Sequence, residues 1–152
     1  MAALDNPSKQ ILCAVPGAPE ASGDVETGII IFAHGSAMES ANVAVREVAI
    51  RFAAEGGYPL VEPAFLELGR PDLAGAVGKL AAQGAERIIV VPYFLTLGKH
   101  LQRDLPRLVK EAAERHPGVA IETTPPLDGH PSLSTILLDR VREAMDPLQS
   151  RE

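Results

Sequence analysis

Four residues able to bind a metal or move a proton, His34, Glu67, His100 and His130, each follow a separate short apolar run. Neutral imidazoles capture divalent first-row metals, and a site with few protein ligands leaves positions open for passing the metal on. A carboxylate beside them could take a proton or steady the cation. Singly, each has an ordinary reading: His34 could cap a helix, Glu67 could be a loop carboxylate, and His100 beside Lys99 could be solvated. What sets them apart is their equivalent position, which depends on the elements that carry them.

The stretch Ile88 to Pro106 shows the unit most clearly. Ile88 to Val91 is a run of β-branched residues without alternation, suited to a strand buried on both faces. Pro92 cannot donate to a ladder, Gly98 turns the chain, and Asp104 is expected to cap a helix with Pro106 in its first turn. That reading puts His100 on a loop between strand and helix. The same unit starts at Gly28: Ile29 to Ala33 is a strand, His34-Gly35-Ser36 follows, and Ser36 with Glu39 has capping-box spacing. Ala41, Val45, Val48, Ala49 and Phe52 form the helical stripe, ended by Gly56-Gly57. Leu60 to Leu66, broken by Pro63, leads into Glu67, Leu68, Gly69 and Arg70; Pro71 opens a helix with stripe Leu73, Ala76, Val77, Leu80 and Ala81, closed by Gly84. Leu105, Leu108, Val109, Ala112 and Ala113 mark the third helix. Val119 to Glu122 is the fourth strand, running through Pro125 and Pro126 to Gly129 and His130, and Leu133, Leu137 and Val141 mark a last helix.

Strands alternating with helices imply an α/β fold: an open parallel four-stranded sheet with helices on both faces and right-handed crossovers. In such a sheet every strand leaves by the same edge, so His34, Glu67, His100 and His130 are expected at one mouth, where open α/β sheets bind ligands. His116, at the far end of a helix before Pro117, is expected to be exposed and to complement the helix dipole.

A chain of 152 residues fits one domain, read as 27–145 between a flexible tail at 1–26 and a frayed tail at 146–152. With 46% hydrophobic and 22% charged residues it has the composition of a soluble globular protein. No apolar run nears the ~20 residues that span a bilayer, which argues against a membrane. A net charge of −6 argues against nucleic acid, which needs a basic face. Cys13 is the only cysteine, which excludes an intrachain disulfide and a four-cysteine site and fits a reducing cytoplasm. Nothing near Cys13 would lower its pKa, so it reads as a thiol without a role. A hydrolase with Ser36 beside His34 is disfavoured by their geometry on one loop and by the missing G-x-S-x-G elbow.

Taken together, His34-Gly35-Ser36, Phe65-Leu66-Glu67-Leu68, Pro92-Tyr93-Phe94-Leu95 continuing to Gly98, His100, Asp104 and Pro106, and Pro126-Leu127 with His130-Pro131 resemble the small single-domain class II chelatases. These are the sirohydrochlorin chelatases, which insert cobalt, iron or nickel into a tetrapyrrole. The likeness runs from Gly28 to Val141. It implies a flavodoxin-like chelatase fold, metal-binding catalytic histidines at His34 and His100, an active-site glutamate at Glu67, and a homodimer where larger relatives fuse two halves. Asp128 departs from the family's loop, so no role is carried to His130; the chain also lacks the C-terminal cysteines that bind a cluster in some plant relatives.

On that reading the chain serves cobalamin, siroheme or related cofactor biosynthesis, with the divalent metal as substrate and no further cofactor. Insertion releases two pyrrole protons, for which Glu67 or an unmetallated histidine could be the base. Arg70, Lys99 and Arg103, with Ser36, are the candidates for holding the carboxylate rim of the macrocycle. Imidazole affinity does not select among the metals. The alternative is a non-enzymatic metal or tetrapyrrole carrier using the same histidines, which would bind both partners without accelerating their union.

Overall fold

The computed structural model describes residues 25–146. The strands are β1 (Thr27–Ala33), β2 (Val61–Phe65), β3 (Arg87–Pro92) and β4 (Ala120–Thr123), all parallel and ordered β2-β1-β3-β4. They alternate with α1 (Glu39–Gly56), α2 (Leu73–Ala82), α3 (Lys99–Arg115) and α4 (Ser132–Met145). The α/β fold with a four-stranded parallel sheet is therefore the one that the sequence pattern implies.

β1 lies between β2 and β3, with Ile29 paired to both Val61 and Ile89. The continuous apolar run Ile29 to Ala33 is needed because this strand is covered above and below. Alternation divides it: Ile30 and Phe32 join Leu73, Val77, Leu80, Leu101 and Leu105 beneath α2 and α3, whereas Ile29 and Ile31 meet Ala49, Val45 and Phe52 of α1. The larger core is thus on the α2/α3 side. Each fully buried Ile, Leu, Val or Phe among these contributes about 1.5–3 kcal/mol.

Helix starts differ from the expected ones in two places. Ser36 and Glu39 do not form a capping box: the residue before α1 is Met38, without a side-chain cap, and the Ser36 hydroxyl accepts from Met38 N at 3.1 Å. Asp104 does not cap α3, which begins five residues earlier at Lys99, so His100 sits in the first helical turn and not on a loop. Pro106 is consequently inside the helix. It leaves the Gln102 carbonyl without its usual donor, and Gln102 is exposed, so water can serve that group. Asp72 caps α2 by accepting from Gly75 N at 2.8 Å.

The last helix forms where its stripe predicts, but none of its residues is buried. His116 ends α3 half-buried near Gly78 rather than exposed. The expected tails, and Cys13 with them, lie outside the described residues except for Val25, Glu26 and Asp146. Among the described residues, no helix is long and apolar enough to cross a membrane.

Leu80 has no exposed surface and packs under β1 and β3, so Leu80→Ala is expected to destabilise the domain by about 2–5 kcal/mol. Urea titration followed by circular dichroism measures this; a loss below about 1 kcal/mol would mean that the site collapses around the deletion.

Candidate active site

The pairing of β1 with β2 continues beyond both strands. Leu66 N donates to Ala33 O at 2.9 Å and Glu67 N donates to His34 O at 3.0 Å, which sets His34 and Glu67 side by side at the C-terminal edge of the sheet. There His34 Nε2 lies 3.5 Å from Glu67 Oε1, with both side chains more than half exposed. His34 Nδ1 lies 3.2 Å from Gly35 O. In the tautomer protonated on Nδ1, that nitrogen donates to the carbonyl and Nε2 keeps its lone pair beside the carboxylate. Such a pair can hold a divalent cation, or pass a proton from one group to the other.

The approach of the two loops demands a glycine. Gly35 has φ +89°, and a Cβ there would stand 1.7 Å from Glu67 O, closer than any real contact. On the opposite loop Leu68 is held at φ 52°, a conformation that residues other than glycine rarely adopt. What holds it is a side chain that the sequence reading passed over. Asn42 of α1 is 1% exposed; its Oδ1 accepts from Ser36 N at 2.9 Å, while Nδ2 donates to Ser36 O and to Leu68 O, both at 2.9 Å. One amide therefore ties the loop after β1 to the loop after β2.

One turn along the same face, Arg46 repeats the link. It donates to Arg70 O at 3.2 Å, lies 5.3 Å over the Phe65 ring and pairs with Glu39 at 2.6 Å. The hydrogen bonds from Arg46, and then from Asn42, hold the Glu39 carboxyl below its ordinary pKa. The signal was present in the sequence, since Glu39, Asn42 and Arg46 share one helical face, but an asparagine within a helix reads as a solvated residue.

The other expected residues reach the mouth separately. His100 and Lys99 are exposed in the first turn of α3, with Arg103 one turn on. Gln102 steadies this turn, its N donating to Gly98 O at 3.0 Å and its Nε2 to Leu97 O at 3.1 Å. Arg70 is exposed and 3.8 Å from Asp72 Oδ2. Ser36 has its hydroxyl oxygen turned to Met38 N. His130 follows β4 and accepts at Nδ1 from Ser132 N at 3.2 Å. His34 and Glu67 are thus brought together, whereas His100 and His130 stand apart from them: among the described residues, no three His, Cys, Asp or Glu side chains converge to hold a metal ion. A cavity of about 320 Å³, lined by Phe65 to Arg70 and by Asp72, opens beside Glu67. Around the mouth Met38, Leu68, Tyr93 and Leu95 expose apolar surface.

Known proteins resemble this chain in sequence and in fold. The family model described as CbiX matches residues 28–144. The chloroplastic sirohydrochlorin ferrochelatase of Arabidopsis thaliana is 36% identical over 127 residues, covering 84% of this chain and 56% of that protein. The sirohydrochlorin cobaltochelatase of Saccharolobus solfataricus is 35% identical over 124 residues, covering 76% of this chain and 94% of its own. The crystal structure of the sirohydrochlorin chelatase SirB from Bacillus subtilis subspecies spizizenii, in complex with cobalt, superposes with a TM-score of 0.72 at 26% identity over 78% of this chain and 50% of that one. The chain therefore spans only about half the length of the plant and Bacillus proteins.

Removing the Asn42 amide should take from partly buried backbone groups of both loops their protein partner, at about 1–3 kcal/mol in all. Asn42→Ala is accordingly expected to lower the urea midpoint and to speed hydrogen exchange at Ser36 N–H. Unchanged protection of that amide would show that the loops hold their positions without the clasp.

Proposed function

Since the chain belongs to the CbiX family, we propose that it is a sirohydrochlorin chelatase, a lyase inserting a divalent metal into that tetrapyrrole for cobalamin, siroheme or a related cofactor. The observation that carries the reading is the 3.5 Å approach of His34 Nε2 to Glu67 Oε1 at the sheet edge. The metal, as substrate, binds at His34 Nε2 and the Glu67 carboxylate; His100 stands apart from this pair, so its part as a further ligand requires the α3 end to approach on binding. The pyrrole nitrogens then replace these ligands, and two N–H protons leave as the metal enters. Glu67, freed from the metal, accepts one of them, and the other passes to the freed His34 or to water. The oxidation state of the metal does not change, so the step calls for no resident cofactor beyond the metal substrate.

Substrate orientation follows from the rest of the mouth. Lys99 and Arg103 at the positive end of α3, with Arg70 and the Ser36 hydroxyl, meet the carboxylate rim of the macrocycle. Lys99 and Arg103 have no ion-pair partner among the described residues, which leaves both cations to the ligand. Met38, Leu68, Tyr93 and Leu95 give the flat ring an apolar surface. This mouth is shallow, and a macrocycle held on one side only would stay wet, so the working unit is a two-fold homodimer that supplies the second wall. The names of the relatives favour cobalt or iron as the metal, with nickel the third candidate. The single cysteine suits a reducing compartment such as the cytoplasm.

Incubation with sirohydrochlorin and Co²⁺, Fe²⁺ or Ni²⁺, followed by absorption, should show insertion above the uncatalysed rate; binding of both without acceleration would make the protein a carrier. His34→Ala and His100→Ala are expected to lose most insertion while keeping the far-ultraviolet circular dichroism of the parent. For Glu67→Gln, which keeps size and hydrogen bonding but not basicity, turnover should fall about 10²- to 10⁴-fold with little change in macrocycle affinity. Recovery of that variant at high metal concentration would make Glu67 a ligand alone, and parental rates at limiting and saturating metal alike would remove it from the mechanism.

A further inference from the structure

Leu68, the residue after Glu67, stands in the left-handed region at φ 52°, and nothing in the residue itself accounts for this. Its side chain is 61% exposed, so packing does not hold it, and its N–H has no acceptor among the described residues. Such a conformation persists only where the surroundings fix it. Three hydrogen bonds do so. Before it, Glu67 N is fixed to His34 O at 3.0 Å; after it, Arg70 O accepts from Arg46 at 3.2 Å; between them, Leu68 O accepts from Asn42 Nδ2 at 2.9 Å. Only the last of these falls on Leu68. The Asn42 amide has one possible orientation, because Nδ2 faces the acceptors Ser36 O, Leu68 O and Glu39 Oε2 while Oδ1 faces the Ser36 N–H.

We propose that Asn42 is a positioning residue for the metal site, acting on Glu67 by holding Leu68 in the left-handed conformation. The Glu67 Cα lies between two fixed atoms, its own N and Leu68 O, and the direction of its side chain follows from both. On the other loop the same amide holds Ser36 N and Ser36 O, each at 2.9 Å, just past the His34 imidazole. If Leu68 relaxed to negative φ, the peptide between Glu67 and Leu68 would rotate. Its carbonyl lies against Gly35, where a Cβ would stand 1.7 Å from Glu67 O, and with that seat lost the carboxylate would leave its 3.5 Å approach to His34 Nε2. A site that is assembled for only a fraction of the time binds its ligand more weakly by that fraction. Metal affinity is thereby set from α1, by a side chain that is 1% exposed and meets neither metal nor macrocycle.

The inference rests on the metal site proposed above, and its test reads Co²⁺ binding by calorimetry with no macrocycle present, so that the apolar surface of Leu68 plays no part. Substitutions at Leu68 probe the backbone without disturbing the core, because the side chain is exposed. Leu68→Gly, which enters the left-handed region freely, is expected to bind Co²⁺ at least as tightly as the parent, and Leu68→Val, whose branch at Cβ resists that region, about 10-fold more weakly. Asn42→Ala is expected to weaken binding by at least about 10-fold while the far-ultraviolet circular dichroism of the parent is kept, and Leu68→Gly added to it to recover about half of that loss on a logarithmic scale. A merely structural role for Asn42 gives the opposite result, since a glycine would then loosen the loop a second time. Equal affinity of Leu68→Val and Leu68→Gly, or a double variant no better than Asn42→Ala, would overturn the positioning and leave the metal site standing. Where Asn42→Ala does not fold, the two Leu68 variants decide alone. Co²⁺ binding that His34→Ala fails to weaken would remove the metal site, and the positioning with it.

Discussion

The β1–β2 ladder continues one step beyond both strands, and the site depends on that step. The bond from Glu67 N to His34 O fixes the separation of the backbones that carry the imidazole and the carboxylate. Parallel strands impose it: equivalent residues of neighbouring strands leave the sheet together, so two groups distant in sequence meet at a separation set by the ladder. The remaining features preserve this step against the tendency of loops to splay. Gly35 removes the Cβ that would strike Glu67 O, the Asn42 amide spans both loops, and Arg46 reaches the carbonyl of Arg70. α1 is therefore more than a cover for the sheet, because two of its side chains hold the loops after β1 and β2 in register.

How far this was legible in the sequence differs from element to element. The order of strands and helices follows from runs such as Ile29 to Ala33 and Ile88 to Val91, whose lack of alternation is a direct consequence of being covered on two faces. The adjacency of His34 and Glu67 follows from parallel topology once those strands are recognised. The start of α3 does not. Asp104 before Pro106 has the form of a helix beginning, and it misleads because a proline on an exposed helical face forfeits a bond that solvent can replace. Asn42 was missed for a related reason: its role rests on contacts to Ser36 and Leu68, and local propensity carries no trace of the second.

α4 marks another limit. The spacing of Leu133, Leu137 and Val141 gives a helix and its apolar side, but not the surface that this side meets. In a single chain an amphipathic stripe is taken to face the domain's own core; here that core is closed by α1 on one side and by α2 and α3 on the other. Periodicity reports that a face needs burial and is silent on which chain buries it.

The openness of the mouth bears on what its chemistry requires. A site that delivers a metal must bind it firmly enough to strip part of its hydration and loosely enough to surrender it to four ring nitrogens. Three or four converging imidazoles would satisfy the first condition and defeat the second, as closed structural metal sites do. One imidazole and one carboxylate on exposed loops lean the other way. In the proposed insertion the exposure of His34 and Glu67 has a further effect: a group open to solvent hands its proton to water without the delay that burial would impose, and two protons would have to be cleared for each metal. On the proposed reading, the small ligand set and its contact with water both serve transfer, whereas the rigidity of the arrangement is supplied from below, by the ladder and the Asn42 amide. Firm backbones beneath weakly committed side chains are what a transfer site of this kind needs.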